Sequence, residues 1–411
     1  MEIQIIRKRD PKIANLIEQE RKRHEETLNL IASENYPSKA VREALSSIFV
    51  VKYSEGRPYK RYYGGTRNID KLETLAEERI RKVFNLSKNW TVNVQPYSGS
   101  PANYAVLRGL VEPGEKIMSL ALPHGGHLSQ GAKVSLSGQD FKVVNYLLNK
   151  KGFLDYKVIE KLAKKERPKL IIAGYSAYPR KVNFKKFGQI AHQIKAYLLA
   201  DIAHISGLII GKVHPSPFPW ADAVTTTTHK TLRGPRGAVI ICKKELKDKI
   251  FPKVFPGLQG GPHNQTICAL GVALKEAQTK QFKKYTAQIV KNTKVLAEEL
   301  KKYNFNLTSG GTDNHLILVD LTNKGVSGKE AQDALEKAGI IVNKNSIPYD
   351  QRKPFDPSGI RIGTPAATTR GMKEKEMRKI AAWINEVIFN PKSKLKIRKE
   401  IKKLCKKFPI P

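Results

Sequence analysis

Hydrophobic positions change period several times along the chain, and each change marks an element. Pro11 to about Ser46 reads as helical and polar, broken at LIASENYPS, where Asn35 and Pro37 interrupt the pattern. Lys52 to Arg67 is rich in Gly, Tyr and Arg, has no period, and predicts a loop. Ile69–Phe84 predicts an amphipathic helix with Leu72, Leu75 and Ile80 on one face. Short apolar runs then alternate with helical stretches. Strands are predicted at Trp90–Val94, Lys116–Leu120, Lys142–Tyr146, Leu170–Gly174, Ala196–Ala200, Ala223–Thr227 and Val239–Cys242, with helices such as Tyr156–Lys165 and Phe184–Lys195 between them. That alternation predicts an α/β domain on a mainly parallel sheet. A long helical segment follows from Leu270 to Tyr303. Beyond it, strand His315–Leu321, helix Gly328–Lys337, strands Ile340–Val342 and Gly359–Gly363 and closing helices predict a smaller α+β domain. The expected division is a helical arm over 1–50, a large domain over 51–275 and a small domain over 276–411. The terminal helix places Ile397, Ile401, Leu404, Cys405 and Phe408 on one face and lysines on the other, the pattern of a docked surface helix rather than a membrane or RNA foot.

Composition adds limits. A chain of 411 residues exceeds the size at which one core usually stops growing, so two domains are the default. The most apolar stretch, near Leu198 to Ile210, carries Asp201 and His204 and is no membrane span. The opening MEIQIIRKRD brings charge at once, so no secretory signal is expected. Cys242, Cys268 and Cys405 form neither a CxxC pair nor a zinc spacing, and their sparseness fits a reducing cytoplasm; no metal site is expected. The net charge of +37 admits a nucleic-acid partner, but the lysines are spread along the whole chain, gathering only between Lys392 and Lys407, which favours a solvated basic surface.

The chemistry concentrates at predicted strand ends. Ala223-Asp-Ala-Val-Thr-Thr-Thr-Thr-His229-Lys230-Thr231 runs from a buried strand into a polar loop, the usual place for sites in open α/β sheets. Lys230 there is a candidate Schiff-base lysine, provided its surroundings depress its pKa from about 10.4. Leu198-Leu-Ala-Asp201-Ile-Ala-His204 ends another strand in a carboxylate, which can keep a pyridine nitrogen protonated; a helix-capping Asp is the plain alternative. Ser98-Gly99-Ser100 opens a helix, where free N–H groups and hydroxyls bind phosphate, although such a phrase also makes ordinary turns. No Walker A pattern is present.

A phosphate cradle, a carboxylate and a lysine are the parts that pyridoxal phosphate needs. The chain resembles the serine hydroxymethyltransferases in the phrases IASEN (31–35), RYYGG (61–65), SGS (98–100), HGGH (124–127), DIAH (201–204), TTTTHKTL (225–232), GPRG (234–237), FPGLQGGP (255–262), SGGTDNH (309–315), VNKNSIP (342–348) and GIRIGTP (359–365). The resemblance runs in order from about residue 15 to about 385. It implies a fold-type I pyridoxal-phosphate transferase like aspartate aminotransferase, with a mainly parallel seven-stranded sheet. It also implies reversible transfer of serine's hydroxymethyl carbon to tetrahydrofolate, or to a modified pterin, giving glycine. Residue by residue, it implies that Lys230 holds the cofactor, Asp201 pairs with its ring nitrogen and His127 stacks on the ring. His204 and Ser176 would lie near the ring hydroxyl. Ser98, Gly99 and Ser100 would hold the phosphate, with Arg236 also on the cofactor and Tyr53, Gly260 and Gly261 coming from a partner subunit. Arg361 and Ser33 would take the substrate carboxylate. Glu55, again from the partner, would move protons; Tyr63 would approach the substrate, and Thr227 and His229 would tune its choice. The pterin would lie along Leu122, Gly126, His127 and Leu128, with Asn345 and Lys353, Pro354 and Phe355. Sharing residues between subunits implies a homodimer, in the cytoplasm and off the membrane. Tyr97 departs from the family, where many members have His. Two other readings stay open from the residues: a folate-independent pyridoxal-phosphate aldolase for β-hydroxy amino acids, and a basic nucleic-acid-binding protein on this fold.

Overall fold

A computed structural model describes residues 3–411. Seven strands form the main sheet: β1 (Trp90–Asn93), β2 (Lys116–Leu120), β3 (Lys142–Tyr146), β4 (Leu170–Ala173), β5 (Tyr197–Asp201), β6 (Ala223–Thr227) and β7 (Ala238–Lys243). They lie in the order β1-β7-β6-β5-β4-β2-β3. Only β7 is antiparallel to its neighbours, β1 and β6. The carboxyl ends of the other six therefore share one edge, with a crevice where the chain, after β2 and β3, crosses back to place β4 on the far side of β2. Strands β4, β6 and nearly all of β5 are buried on both faces, which is why they read as continuous apolar or threonine runs rather than as alternation. One core lies on each face: Ala76, Ile80, Phe187 and Leu274 belong to the first, Ala102, Val106, Ile172 and Ile250 to the second.

Local chemistry sets the helix limits. Asp155 accepts from the N–H groups of Lys157 and Val158 and starts helix Tyr156–Glu166. Ser327 and Glu330 form a capping box at Gly328–Lys337. Asn85, at φ 52°, ends helix Arg67–Phe84 in the left-handed region. The expected single helical segment from Leu270 to Tyr303 is two helices, Asn264–Ala277 and Lys280–Lys302. Thr279 divides them, its hydroxyl accepting from Phe282 N–H and donating to the Glu276 carbonyl. Leu75 does not join Leu72 and Ile80 on the buried face of its helix. It is 41% exposed, because the buried stripe runs through Ile69, Glu73, Ala76, Ile80 and Phe84. The expected loop over 52–67 contains a tight hairpin, Gly56–Arg57 against Lys60–Arg61. Gly56 permits it: φ is +96°, and a Cβ would lie 2.2 Å from the Lys60 carbonyl oxygen.

A second sheet joins β8 (Asn306–Leu307), β9 (Leu316–Asp320), β10 (Asn343–Asn345) and β11 (Gly359–Gly363) in the order β8-β9-β11-β10. The run Ile340–Val342 is divided. Ile340–Ile341 pairs in parallel with Leu28–Asn29 from the N-terminal region, and Leu28 and Leu30 join the small-sheet core. The terminal helix Lys394–Lys407 docks Ile397, Ile401 and Cys405 into that same core. Buried Arg370 donates to the carbonyls of Thr27, Cys405 and Phe408, tying the two chain ends together. Among the described residues no helix is long and apolar enough to cross a membrane.

Candidate active site

The carboxyl edge of the sheet carries a cavity of about 340 Å³. Each neighbouring strand delivers part of it: Ser98–Ser100 follow β1, His127 the loop after β2, Ser176 the loop after β4, Asp201 ends β5, and Lys230 follows β6. Arg361 on β11 of the second sheet and Ser33 also line it. His204, Thr227, His229 and Arg236 also line it. A larger groove of about 850 Å³ runs along Arg233, Glu276, Tyr285 and Lys373 and holds none of the expected site residues. Size alone does not locate the chemistry.

Lys230 is the only buried lysine among the described residues, at 8% exposure. Burial pulls its ammonium down from 10.5 to about 8, with Asp201 opposing the shift and Arg361 and Arg236 assisting it. Asn35 bridges from the Lys230 carbonyl to the Tyr285 hydroxyl and holds the loop. Because the folded pKa lies below the unfolded one, the cost of keeping this lysine charged is full below pH 8 and disappears as pH rises towards 10.5. Lys230→Met is therefore expected to stabilise the cofactor-free chain at pH 7 by up to about 3 kcal/mol. Urea unfolding at a series of pH values checks this: the gain should shrink between about pH 8 and 10.5, and a pH-independent gap would contradict it.

Asp201 is locked at the cavity floor. One carboxylate oxygen accepts from Asn103 Nδ2 at 2.9 Å and Gln130 Nε2 at 2.8 Å; the other accepts from Ala203 N–H at 3.1 Å. Asn103 in turn accepts from Thr225 Oγ1 at 2.5 Å. His127 takes the Ser129 N–H on Nδ1, which orients its ring at the cavity wall.

Arg361 is also buried, and burial lowers its pKa to about 10. It donates to Asn343 Oδ1 at 3.1 Å, the Ser176 carbonyl at 2.7 Å and, at 3.5 Å, Ser33 Oγ. No carboxylate pairs with it among the described residues. A buried guanidinium aimed by neutral acceptors is a site for an anion.

Helix Gly99–Leu110 begins at the cavity without a side-chain cap, which leaves its first N–H groups available. A Cβ on Gly99 would approach Thr227 Cγ2 to 2.8 Å, so glycine allows the helix start to sit against the end of β6. His229 Nδ1 is buried without a partner beside Lys230.

Tyr53, Glu55, Tyr63, Gly260 and Gly261 do not line this cavity. They form their own patch: the Tyr53 and Tyr63 rings are 5.3 Å apart, and side chains built at Gly261 and Gly260 would lie 2.9 Å from Tyr53 and 3.2 Å from Glu55. Tyr53 and Tyr63 are exposed. A buried network fixes the loop beneath: Arg61 bonds Asp70 and Glu73 at 2.8 Å each, Arg57 bonds Glu73 at 3.1 Å and also Glu77, and Gln95 donates to Glu73 at 2.9 Å. Tyr97 borders both regions. It precedes Ser98, stacks on His263 at 4.2 Å and donates to the Gly261 carbonyl. Leu122, Leu128 and Phe355 are exposed and do not line this cavity, and His124 and Tyr349 join their two loops with rings 4.7 Å apart. Asn345 is half-buried on β10, Lys353 and Pro354 are exposed, and Gly126 packs against the Leu120 carbonyl.

Sequence reasoning passed over Asn103, Gln130 and His315, which hold Asp201 and His204. A signal existed for Asn103: it is the one polar residue on the apolar stripe Ala102, Ala105, Val106.

The family model described as serine hydroxymethyltransferase matches residues 6–384. The serine hydroxymethyltransferase of Desulfotalea psychrophila is 53% identical over 409 residues, covering 99% of this chain and 96% of that protein. That of Acidothermus cellulolyticus is 51% identical over 412 residues, covering 98% and 96%. On both the family match and these full-length relatives, the chain belongs to the serine hydroxymethyltransferase family.

Proposed function

We propose that this chain transfers the hydroxymethyl carbon of serine reversibly to tetrahydrofolate, with Lys230, Asp201 and Arg361 dividing the work. One observation carries the reading: a single cavity holds a buried lysine amine, a carboxylate locked by two amides, and a buried guanidinium without a carboxylate partner among the described residues. The residues fit pyridoxal phosphate. Lys230 would hold it covalently, Asp201 would face its ring nitrogen, and the uncapped start of helix Gly99–Leu110, with Ser98 and Ser100, would take its phosphate. Pyridoxal phosphate, when bound, supplies the sink for the electron pair released as the Cα–Cβ bond of serine breaks. Arg361 and Ser33 hold the serine carboxylate and so set the angle of that bond. His127 would cover the ring face, and His204 and Ser176 would lie near the ring hydroxyl. Thr227 and His229 border the substrate, and Arg236 adds positive charge at the mouth. The pterin would lie along Leu122, Leu128, Asn345 and Phe355.

Glu55, Tyr53 and Tyr63 act from a second copy of the chain, Glu55 exchanging a proton with the hydroxymethyl oxygen. The exposure of Tyr53 and Tyr63, the separation of all three residues from the cavity of their own chain and the exposed Ile5, Ile13 and Leu16 of the N-terminal helices support a homodimer. The free cysteines suit a reducing compartment, and we place the protein in the cytoplasm. Mixing tests the shared site. Lys230→Gln and Glu55→Gln chains, each inactive alone, should regain roughly a quarter of parental activity after subunit exchange, since half the dimers are then mixed and each has one intact site. No recovery despite proven exchange would place Glu55 on its own chain's site.

A further inference from the structure

Gly260 and Gly261 form the tip of a surface turn between buried Gln259 and helix Asn264–Ala277. Neither glycine N–H has a hydrogen-bond partner among the described residues. Two successive free N–H groups can take an anion, but glycine is the residue least able to hold such a turn by itself. Both ends of the turn are anchored by side-chain amides whose orientation is set by main-chain groups. Gln259 Oε1 accepts from the Tyr97 N–H, and its Nε2 donates to the Gln95 carbonyl, at 2.9 Å each. Asn264 Oδ1 accepts from Ser54 Oγ at 2.8 Å, and its Nδ2 donates to the Lys52 carbonyl at 2.6 Å. The middle has a single hold: the Tyr97 phenol donates to the Gly261 carbonyl at 2.7 Å. A carbonyl can only accept, and burial raises the pKa of this phenol, so the hydrogen stays on Tyr97. That bond fixes ψ of Gly261, and Pro262 behind it has a locked φ. The His263 ring, stacked on Tyr97 at 4.2 Å and within 5° of parallel, steadies the phenol. Gly261 also rests on the Tyr53 ring, which a Cβ would approach to 2.9 Å. Tyr53 and the two free N–H groups are thus presented as one unit, and Tyr97 clamps it. The main chain of Tyr97 meanwhile runs on into Ser98–Ser100, which line this chain's own cavity.

We propose that Tyr97 is a positioning residue for the phosphate of the cofactor held by the neighbouring subunit. Its phenol keeps the Gly260–Gly261 turn in the shape that points two N–H groups, beside Tyr53, at that phosphate. The inference rests on the reading that Tyr53, Gly260 and Gly261 serve a second copy of the chain. Its consequence is specific: losing the phenol weakens recognition of the phosphate across the interface, and leaves the ring and the attachment lysine alone.

The test strips the cofactor and titrates it back, reading visible absorption, with pyridoxal as the probe that lacks the phosphate. Tyr97→Phe keeps the stacked ring and loses only the hydroxyl. The expected result is that pyridoxal phosphate binds roughly three- to tenfold more weakly, the worth of one hydrogen bond, while pyridoxal binds as in the parent. Mixed dimers, isolated through two different affinity tags, then locate the effect. Paired with a Lys230→Gln chain, the Tyr97→Phe chain carries the one attachment lysine of the dimer and faces a partner with an intact Tyr97. Borohydride-trapped cofactor on the peptide containing residue 230 should then titrate with parental affinity. The proposal is overturned by unchanged pyridoxal phosphate binding in Tyr97→Phe, by equal weakening of pyridoxal, or by weakness that persists in the mixed dimer, which would route Tyr97 through its own Ser98. The underlying reading is tested separately in the same format, with Gly261→Ala placed on the Lys230→Gln chain opposite a parental chain. Weakened trapping there supports the shared phosphate site, and unchanged trapping overturns it.

Discussion

A Lys230→Gln chain is expected to fold, hold no pyridoxal phosphate covalently and turn over serine at least about a thousandfold more slowly than the parent. The attachment amine must be neutral at working pH, and burial draws the Lys230 ammonium down to about 8. The basic surface offers many other amines, and no other lysine is buried among the described residues. Glutamine keeps most of the length, removes the buried charge and leaves Asp201 with its two amide partners. Borohydride reduction followed by peptide mass measurement reads the result directly. The parent carries the pyridoxyl group on the peptide containing residue 230, and the variant carries it nowhere. Parental turnover in the variant would move the attachment site to another lysine.

Arg361→Ala should weaken serine binding by about 2–5 kcal/mol, roughly 30- to 4000-fold, while covalent cofactor attachment persists. The guanidinium is already dry and already aimed by Asn343, Ser33 and the Ser176 carbonyl, so a carboxylate arriving there loses its water once and gains a paired, oriented contact. Arg361→Lys should recover little, because an ammonium cannot reproduce the planar fork. Serine titration followed by the visible spectrum of the bound cofactor measures the shift. A near-normal serine affinity in the alanine variant would remove Arg361 from the carboxylate.

The large sheet was legible because its strands are short apolar runs separated by helical periods, and β2, β3 and β6 begin and end where the pattern does. Single-chain patterning cannot show what a remote partner imposes. Leu28–Asn29 pairs with Ile340–Ile341, more than 300 residues away, and Asn343-Lys-Asn is polar yet forms a strand because Gly359–Gly363 lies beside it. Leu75 misled the helix reading because Glu73, drawn inside by Arg57 and Arg61, took a place on the buried stripe that polarity would deny it. At the site, Lys230, Asp201 and Arg361 stood out through their phrases. Asn103 and Gln130 hold Asp201, and His315 meets His204, so their part emerges only when the three-dimensional neighbours are known. The patch around Tyr53 and Glu55 is legible only in part even in the fold, since its proposed target lies on another copy.

The parallel pairing of Leu28–Asn29 with Ile340–Ile341 also sets a timetable on the ribosome. At about 5–20 residues per second, residue 28 is made roughly 15–60 s before residue 340. Throughout that interval Leu28 and Leu30, fully buried in the finished protein, have nothing to cover them. The large sheet can assemble meanwhile from neighbours in sequence, but the small core cannot close until the last quarter of the chain is out. The first-made segment is therefore among the last to find its place.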